Sequence, residues 1–150
     1  MVPVETLKKL DVFDGLNKTE LEAVQGIARE EDFPRGTVIF NENEEAKSLF
    51  VLLQGNVAIQ FEVGRNRQAI VHSVSSGQAF GWSALVPPHR FTASAKCVNK
   101  CKVVAVDTGG LRRLLDMDCH MGFVLMEKLS ELVSARLRDT RMQLISMLHG

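Results

Sequence analysis

Hydrophobic and polar positions change their period twice along this chain. From about Lys18 to Arg29, the residues Leu21, Val24, Ile27 and Ala28 recur three and four apart. That spacing predicts an amphipathic helix with one apolar face. Asn17 or Thr19 stands where an N-cap is expected. Leu10, Phe13 and Leu16 precede the helix and are expected to pack on the same core. Phe33-Pro34-Arg35-Gly36 closes this section, because Pro removes a donor and Gly permits a turn.

The period then drops to two. Thr37–Phe40, Leu49–Leu53, Val57–Phe61, Gln68–Val74 and Cys101–Val106 are short runs rich in β-branched residues. Val57, Ile59 and Phe61 alternate with Ala58, Gln60 and Glu62, as in a strand with one buried face. Turn signals lie between the runs at Asn41–Asn43, Gln54–Asn56, Val63–Asn66 and Ser75–Gly77. Closely spaced strands with Gly turns predict an antiparallel sandwich or barrel. The absence of βαβ alternation argues against a doubly wound sheet. The expectation is a mainly β fold with flanking helices, a jelly roll over about 34–107. An N-terminal helical segment precedes it, and the whole of 1–150 reads as one domain.

Beyond Asp107-Thr108-Gly109-Gly110 the helical period returns. Leu111, Leu114 and Leu115 predict a short helix, with a break at Asp116–Cys119 and Asp118 as the next cap. One long helix follows over about 119–148. Phe123, Ser130, Leu137 and Leu144 fall seven apart, and Met126, Val133, Thr140 and Met147 fall three later. That is a heptad pattern with two polar gaps. Some thirty helical residues span about 45 Å, more than a small domain needs. The reading is a helix that also meets its copy in a homodimer; the alternative is a helix lying along the barrel.

Composition narrows the function classes. The 150 residues carry 18 basic and 18 acidic side chains, so the net charge is zero. That disfavours a dedicated nucleic-acid module. Residues 1–45 hold 5 basic and 11 acidic groups, whereas residues 46–110 hold 7 basic and 2 acidic ones. A middle section short of carboxylates suits a small anionic ligand. No apolar run approaches a membrane span, and no signal peptide is visible at Met1–Glu5, so a cytoplasmic setting is expected. Three cysteines fit a reducing compartment better than a disulfide scaffold. Cys97, Cys101, Cys119 and the scattered histidines give no compact ligand set, so no metal is expected. No nucleophile–base pair can be named, so an enzyme is not expected.

Phe80 to Ala95 carries the candidate chemistry. Gly81 lets the backbone approach a ligand closely. Trp82 to Val86 has room for about one helical turn, which Pro87 ends. Arg90 follows within reach of the same place, and an Arg fork matches phosphate oxygens. Thr92 and Ser94 alternate on the next strand and offer hydroxyls. The candidate ligand-binding set is therefore Gly81, Trp82, Ser83, Ala84, Arg90, Thr92 and Ser94.

Over about residues 5 to 145 the chain resembles the cyclic nucleotide-binding domain of catabolite-activator-type regulators and of cyclic-nucleotide-dependent kinase regulatory subunits. The resemblance rests on the order and spacing of Gly36–Phe40, Ser48–Val57 and the cassette from Phe80-Gly81 through Ala84-Leu85 and Arg90 to Ala93 and Ala95. It implies a double-stranded β-roll that binds cyclic AMP or cyclic GMP. In such domains an acidic residue after the cassette Gly takes the ribose hydroxyl, and an Arg neutralises the cyclic phosphate. The long helix lids the base and, in the bacterial regulators, makes the dimer. Aligning Ser134–Leu137 with the family's run puts Thr140 at its base-contacting position.

Two positions depart from that pattern. Trp82 replaces the acidic residue and cannot accept the ribose hydroxyl's hydrogen bond. An unpaired hydroxyl in a pocket costs about 1–3 kcal/mol, roughly tenfold to a hundredfold in affinity. Counting forward from Ala84-Leu85 without a gap, Phe91 takes the place of the family Arg, and Arg90 reaches it only through a reshaped Pro87-Pro88 loop. Trp82 then stacks on a flat ligand, fills the pocket, or lies outside it. The reading is a non-enzymatic small-ligand sensor that signals by repositioning its long helix. Its ligand is cyclic AMP, cyclic GMP or another small anion. The alternatives are a domain without nucleotide binding that dimerises or meets a protein partner, and the detached sensor part of a transcription regulator. Direct DNA binding is not expected, because the helix carrying Arg112 and Arg113 is too short to read bases.

Overall fold

In the computed structural model, which describes residues 1–149, four helices flank eight strands. Helix α1 (Val4–Lys8) and helix α2 (Lys18–Gln25) come first. Asn17 caps α2 in a capping box, its side chain accepting from the Glu20 N–H while Glu20 accepts from the Asn17 N–H, each at 2.9 Å. The helix ends at Gln25, capped by Gly26, four residues short of the expected end at Arg29. Ala28 and Arg29, expected as its last residues, instead open strand β1 (Ala28–Phe33), so the roll begins before Pro34. Pairing with the last strand outweighs helix periodicity here. Arg29–Asp32 did not read as a strand because β1 is an edge strand that exposes its charges, which blunts edge-to-edge pairing.

The remaining strands are β2 (Val38–Phe40), β3 (Ser48–Gln54), β4 (Val57–Glu62), β5 (Gln68–Val74), β6 (Ala79–Phe80), β7 (Ser94–Cys97) and β8 (Cys101–Asp107). They form two four-stranded antiparallel sheets, β1-β8-β3-β6 and β2-β7-β4-β5. This is the expected jelly roll. In β8, Val103 to Val106 are buried on both faces, one on the roll interior and the other beneath the helical segments. Leu7, Leu10, Phe13, Leu21 and Val24 join Leu49, Val51, Phe80, Val104 and Leu111 in one core. Cys97 and Cys101 are buried and unbridged, and burial, aided by Cys101, pushes the Cys97 thiol up to about 12.

Helix α3 (Thr108–Met117) starts on an Asp107 cap, with the Gly110 N–H donating at 2.8 Å. Helix α4 (Cys119–His149) follows the break at Asp118, whose carboxylate accepts from the Met121 N–H at 3.0 Å. Its 31 residues extend about 46 Å. Met121, Val124 and Leu125 root it in the core. Farther along, Gln143 donates to the Val71 carbonyl at 3.3 Å, which lays the helix beside β5. Among the described residues no helix is long and apolar enough to cross a membrane.

Candidate functional site

The loop between β6 and β7 carries the cassette. Gly81 holds φ at +75°, and a 3-10 turn over Trp82–Leu85 follows. A Cβ at Gly81 would lie 3.1 Å from Phe91, 3.3 Å from Phe40 and 3.4 Å from Phe50, so only Gly fits both the torsion and the space. Ser83 and Ala84 are buried beneath the turn. The expected helical turn is present, and it brings Gly81, Trp82, Ser83, Phe91, Thr92 and Ala93 around one small cavity with Phe40 and Ile59.

That cavity measures about 30 Å³. It has room for a water molecule, whereas small-molecule sites run to about 300–1,000 Å³. Aromatic side chains fill the rest. Phe91 is buried, and its ring lies 3.6 Å from that of Phe40 at 11°. Phe50 and Phe80 extend the cluster, with centroids 5.4 Å apart.

The cassette's polar candidates divide. Arg90 is exposed, pairs with Glu45 through its backbone in an isolated antiparallel bridge, and its side chain donates to the Asn43 carbonyl at 2.7 Å. Phe91 lines that cavity and Arg90 does not. The Ser94 hydroxyl accepts from the Glu42 N–H at 3.0 Å and is spent on holding the β2–β3 connection. Thr92 is exposed at the cavity edge. Thr140 is exposed on α4 and lines neither this cavity nor the next.

Trp82 faces a cation that the sequence reading gave no role. The Arg136 guanidinium of α4 sits over its ring, 5.4 Å from the centroid. Arg136 Nη1 meets His72 Nε2 on β5. Its Nε and Nη2 are buried and have no hydrogen-bond partner among the described residues. Burial lowers the Arg136 pKa, opposed by Asp139. Burial, and then Arg136 itself, lowers that of His72. Arg136 lies within the run Ser134–Leu137 whose alignment placed Thr140, but periodicity alone could not aim its side chain at Trp82.

A second cavity of about 320 Å³ lies between the cassette turn and α4, lined by Leu49, Ala79, Trp82, Leu85, Leu125 and Leu129 among others. Asp11, Asp14, Glu131 and Lys128 edge it, with Lys128 drawn to Asp14 at 3.9 Å. The rim thus carries three carboxylates and one ammonium group. Distant from the cassette, Glu20, Asp118 and His120 bring potential metal-ligand atoms within 4.8 Å of one another.

The profile of the "Cyclic nucleotide-binding domain" family matches residues 30–118. A CRP-like cAMP-activated global transcriptional regulator of Mycobacterium tuberculosis is 24% identical over 144 residues. The match takes in 96% of this chain and 62% of that protein, so the chain spans under two-thirds of the relative's length. A crystal structure of a protein of cyclic nucleotide-binding type from Geobacter metallireducens GS-15 superimposes with a TM-score of 0.83. It is 34% identical and covers 91% of this chain and 99% of its own. The catabolite activator protein of Thermus thermophilus, 20% identical, shares the fold with a TM-score of 0.73 over 91% of this chain and 62% of its own.

Proposed function

The chain belongs to the cyclic nucleotide-binding domain family, and we propose that within it this protein is a non-enzymatic regulatory module whose cassette is closed by its own side chains. It works through α4 by pairing with a second copy. The observation that carries the reading is the Phe91 ring stacked on Phe40, which leaves about 30 Å³ where a ligand would sit. Trp82 stands where the family resemblance calls for an acid, and Phe91, counted without a gap, where it calls for an Arg. The domain thereby loses the hydroxyl acceptor and the phosphate partner together, and the space for both.

The surface left to act is on α4. Phe123, Met126, Val133, Leu137, Leu144 and Met147 repeat at heptad positions and are all exposed. Leu137 is 60% exposed and Leu144 is 55%. Apolar side chains at that spacing along one helix suit a coiled-coil seam with its own copy. A protein partner docking on the same seam, and a cytosolic setting for the three unbridged cysteines, belong to the same proposal. Direct DNA recognition does not, since α3 with Arg112 and Arg113 packs on β8 as part of the roll.

Sedimentation tests this reading. The 16.7 kDa chain should sediment at twice its mass at micromolar concentration. Leu137→Glu with Leu144→Glu should return it to one folded copy, because neither side chain is buried in the roll, and its unfolding midpoint should lose only what pairing contributes. A native chain that sediments as one copy would overturn the pairing.

One observation favours a second reading, a sensor of a small anion. The buried Nε and Nη2 of Arg136 are donors without acceptors, and an oxyanion beside Trp82 would satisfy both. Titrating inorganic phosphate or acetate while following Trp82 fluorescence tests it. A saturable change that Arg136→Gln removes would support it.

A further inference from the structure

Glu20, Asp118 and His120 are far apart in sequence and meet where α2 faces the start of α4. We infer that these three side chains form a binding site for one divalent transition-metal ion of the zinc type. Each offers one ligand atom, and the three atoms lie within 4.8 Å of one another. His120 Nδ1 stands 2.9 Å from both carboxylate oxygens of Glu20.

Burial and charge carry the inference beyond proximity. Glu20 is only 4% exposed, so its carboxylate is removed from water. A second carboxylate, that of Asp118, lies beside it. The group facing the pair is a single imidazole, that of His120. Two neighbouring carboxylates, one of them buried, are poorly balanced by one imidazole. A divalent cation balances them.

The donor set is suited to that ion. Zinc takes imidazole nitrogen and carboxylate oxygen at about 2.0–2.2 Å, and three protein ligands leave a fourth position for water. A nitrogen donor among the three favours zinc, cobalt or nickel over magnesium or calcium. The ligands are also held from behind. The Asn17 N–H fixes Glu20 at 2.9 Å, and the Met121 N–H fixes Asp118 at 3.0 Å. His120 is half-exposed, which gives an ion a way in. The bound ion ties α2 to the root of α4, where Met121, Val124 and Leu125 enter the core. It acts some sixteen residues from Arg136, about 24 Å along the helix.

The plain rival is a His120–Glu20 ion pair with no metal. Metal binding that needs Asp118 separates the two, because the ion-pair contact itself joins only His120 Nδ1 and the Glu20 carboxylate. The test is calorimetric titration of zinc chloride into chelator-treated protein, in a Cys119→Ser background that removes the exposed neighbouring thiol. Thermal unfolding with and without zinc, and the visible absorption of the cobalt form, are read alongside. The expected result is one ion per chain, a raised unfolding midpoint and a cobalt d–d band. Asp118→Asn and His120→Gln should each weaken zinc at least tenfold and remove the midpoint rise. Both positions are partly or fully exposed, so they decide the matter even where Glu20→Gln fails to fold. No stoichiometric binding up to millimolar zinc, or binding that both variants leave unchanged, would overturn the site.

Discussion

Replacing Phe91 by Ala separates the two ways the cassette loop can be threaded. With Phe91 inside and Arg90 outside, the substitution empties a site that is 4% exposed and removes a ring stacked 3.6 Å from Phe40. Phe→Ala in a core costs about 3–5 kcal/mol, and a stacked aromatic pair adds to the area term, which points to the upper half of that range. Against a total stability of about 5–15 kcal/mol the variant stays folded but is clearly weakened. With a slope of about 2 kcal/mol per molar urea, its midpoint falls by about 2 M. Arg90→Ala removes one exposed hydrogen bond to Asn43 and should cost under about 1 kcal/mol. Urea unfolding followed by circular dichroism measures both. The reverse order of effects, with Arg90→Ala the costlier change, would show that Arg90 enters the roll and would refute the closed cassette.

Gly81→Ala should destabilise by about 2–4 kcal/mol in the same assay, from the positive φ and from a Cβ pressed to 3.1 Å of Phe91; a loss below about 0.5 kcal/mol would mean that the turn relaxes freely. Arg136→Met keeps an apolar stem over Trp82 and removes two buried unpartnered donors, so stability should hold or rise; a loss above about 2 kcal/mol would contradict their being unpartnered. The His72 pKa is lowered in the fold, first by burial and then by Arg136. The unfolded chain therefore binds more protons, and stability should fall as pH drops from about 6.5 through the folded value. His72→Asn should flatten that slope between pH 7 and 5, and an unchanged slope would contradict the shift.

The strands β2 to β5 and β8 were legible because each buries one or both faces and so writes its period into the chain. Gln68–Val74 matches β5 residue for residue. The Asn17 cap, the one-turn cassette helix and the break at Asp118 were legible for the same local reason, since cap and turn chemistry is read within a few residues. Strand β1 was not, because an edge strand pairs through its backbone and leaves Arg29–Asp32 free to be charged. Strand β6 is two residues long and cannot show a period. Of the candidates named from spacing, Gly81, Trp82, Ser83 and Thr92 line the small cavity. The choice between Arg90 and Phe91 depends on which side chain turns inward, a matter of packing against Phe40. Arg136 and His72 meet Trp82 only through tertiary contact, as do Glu20, Asp118 and His120, and no local pattern announces them.

Calorimetric titration of the native chain with cyclic AMP, and then cyclic GMP, bears most directly on the closed cassette. Trp82 is the single tryptophan, so its fluorescence reports on the same samples. A roll filled by Phe91, Phe40 and Trp82 predicts no saturable heat and no saturable change in emission up to millimolar nucleotide. Saturable micromolar binding, abolished by Arg90→Ala, would contradict it and make this chain a nucleotide sensor.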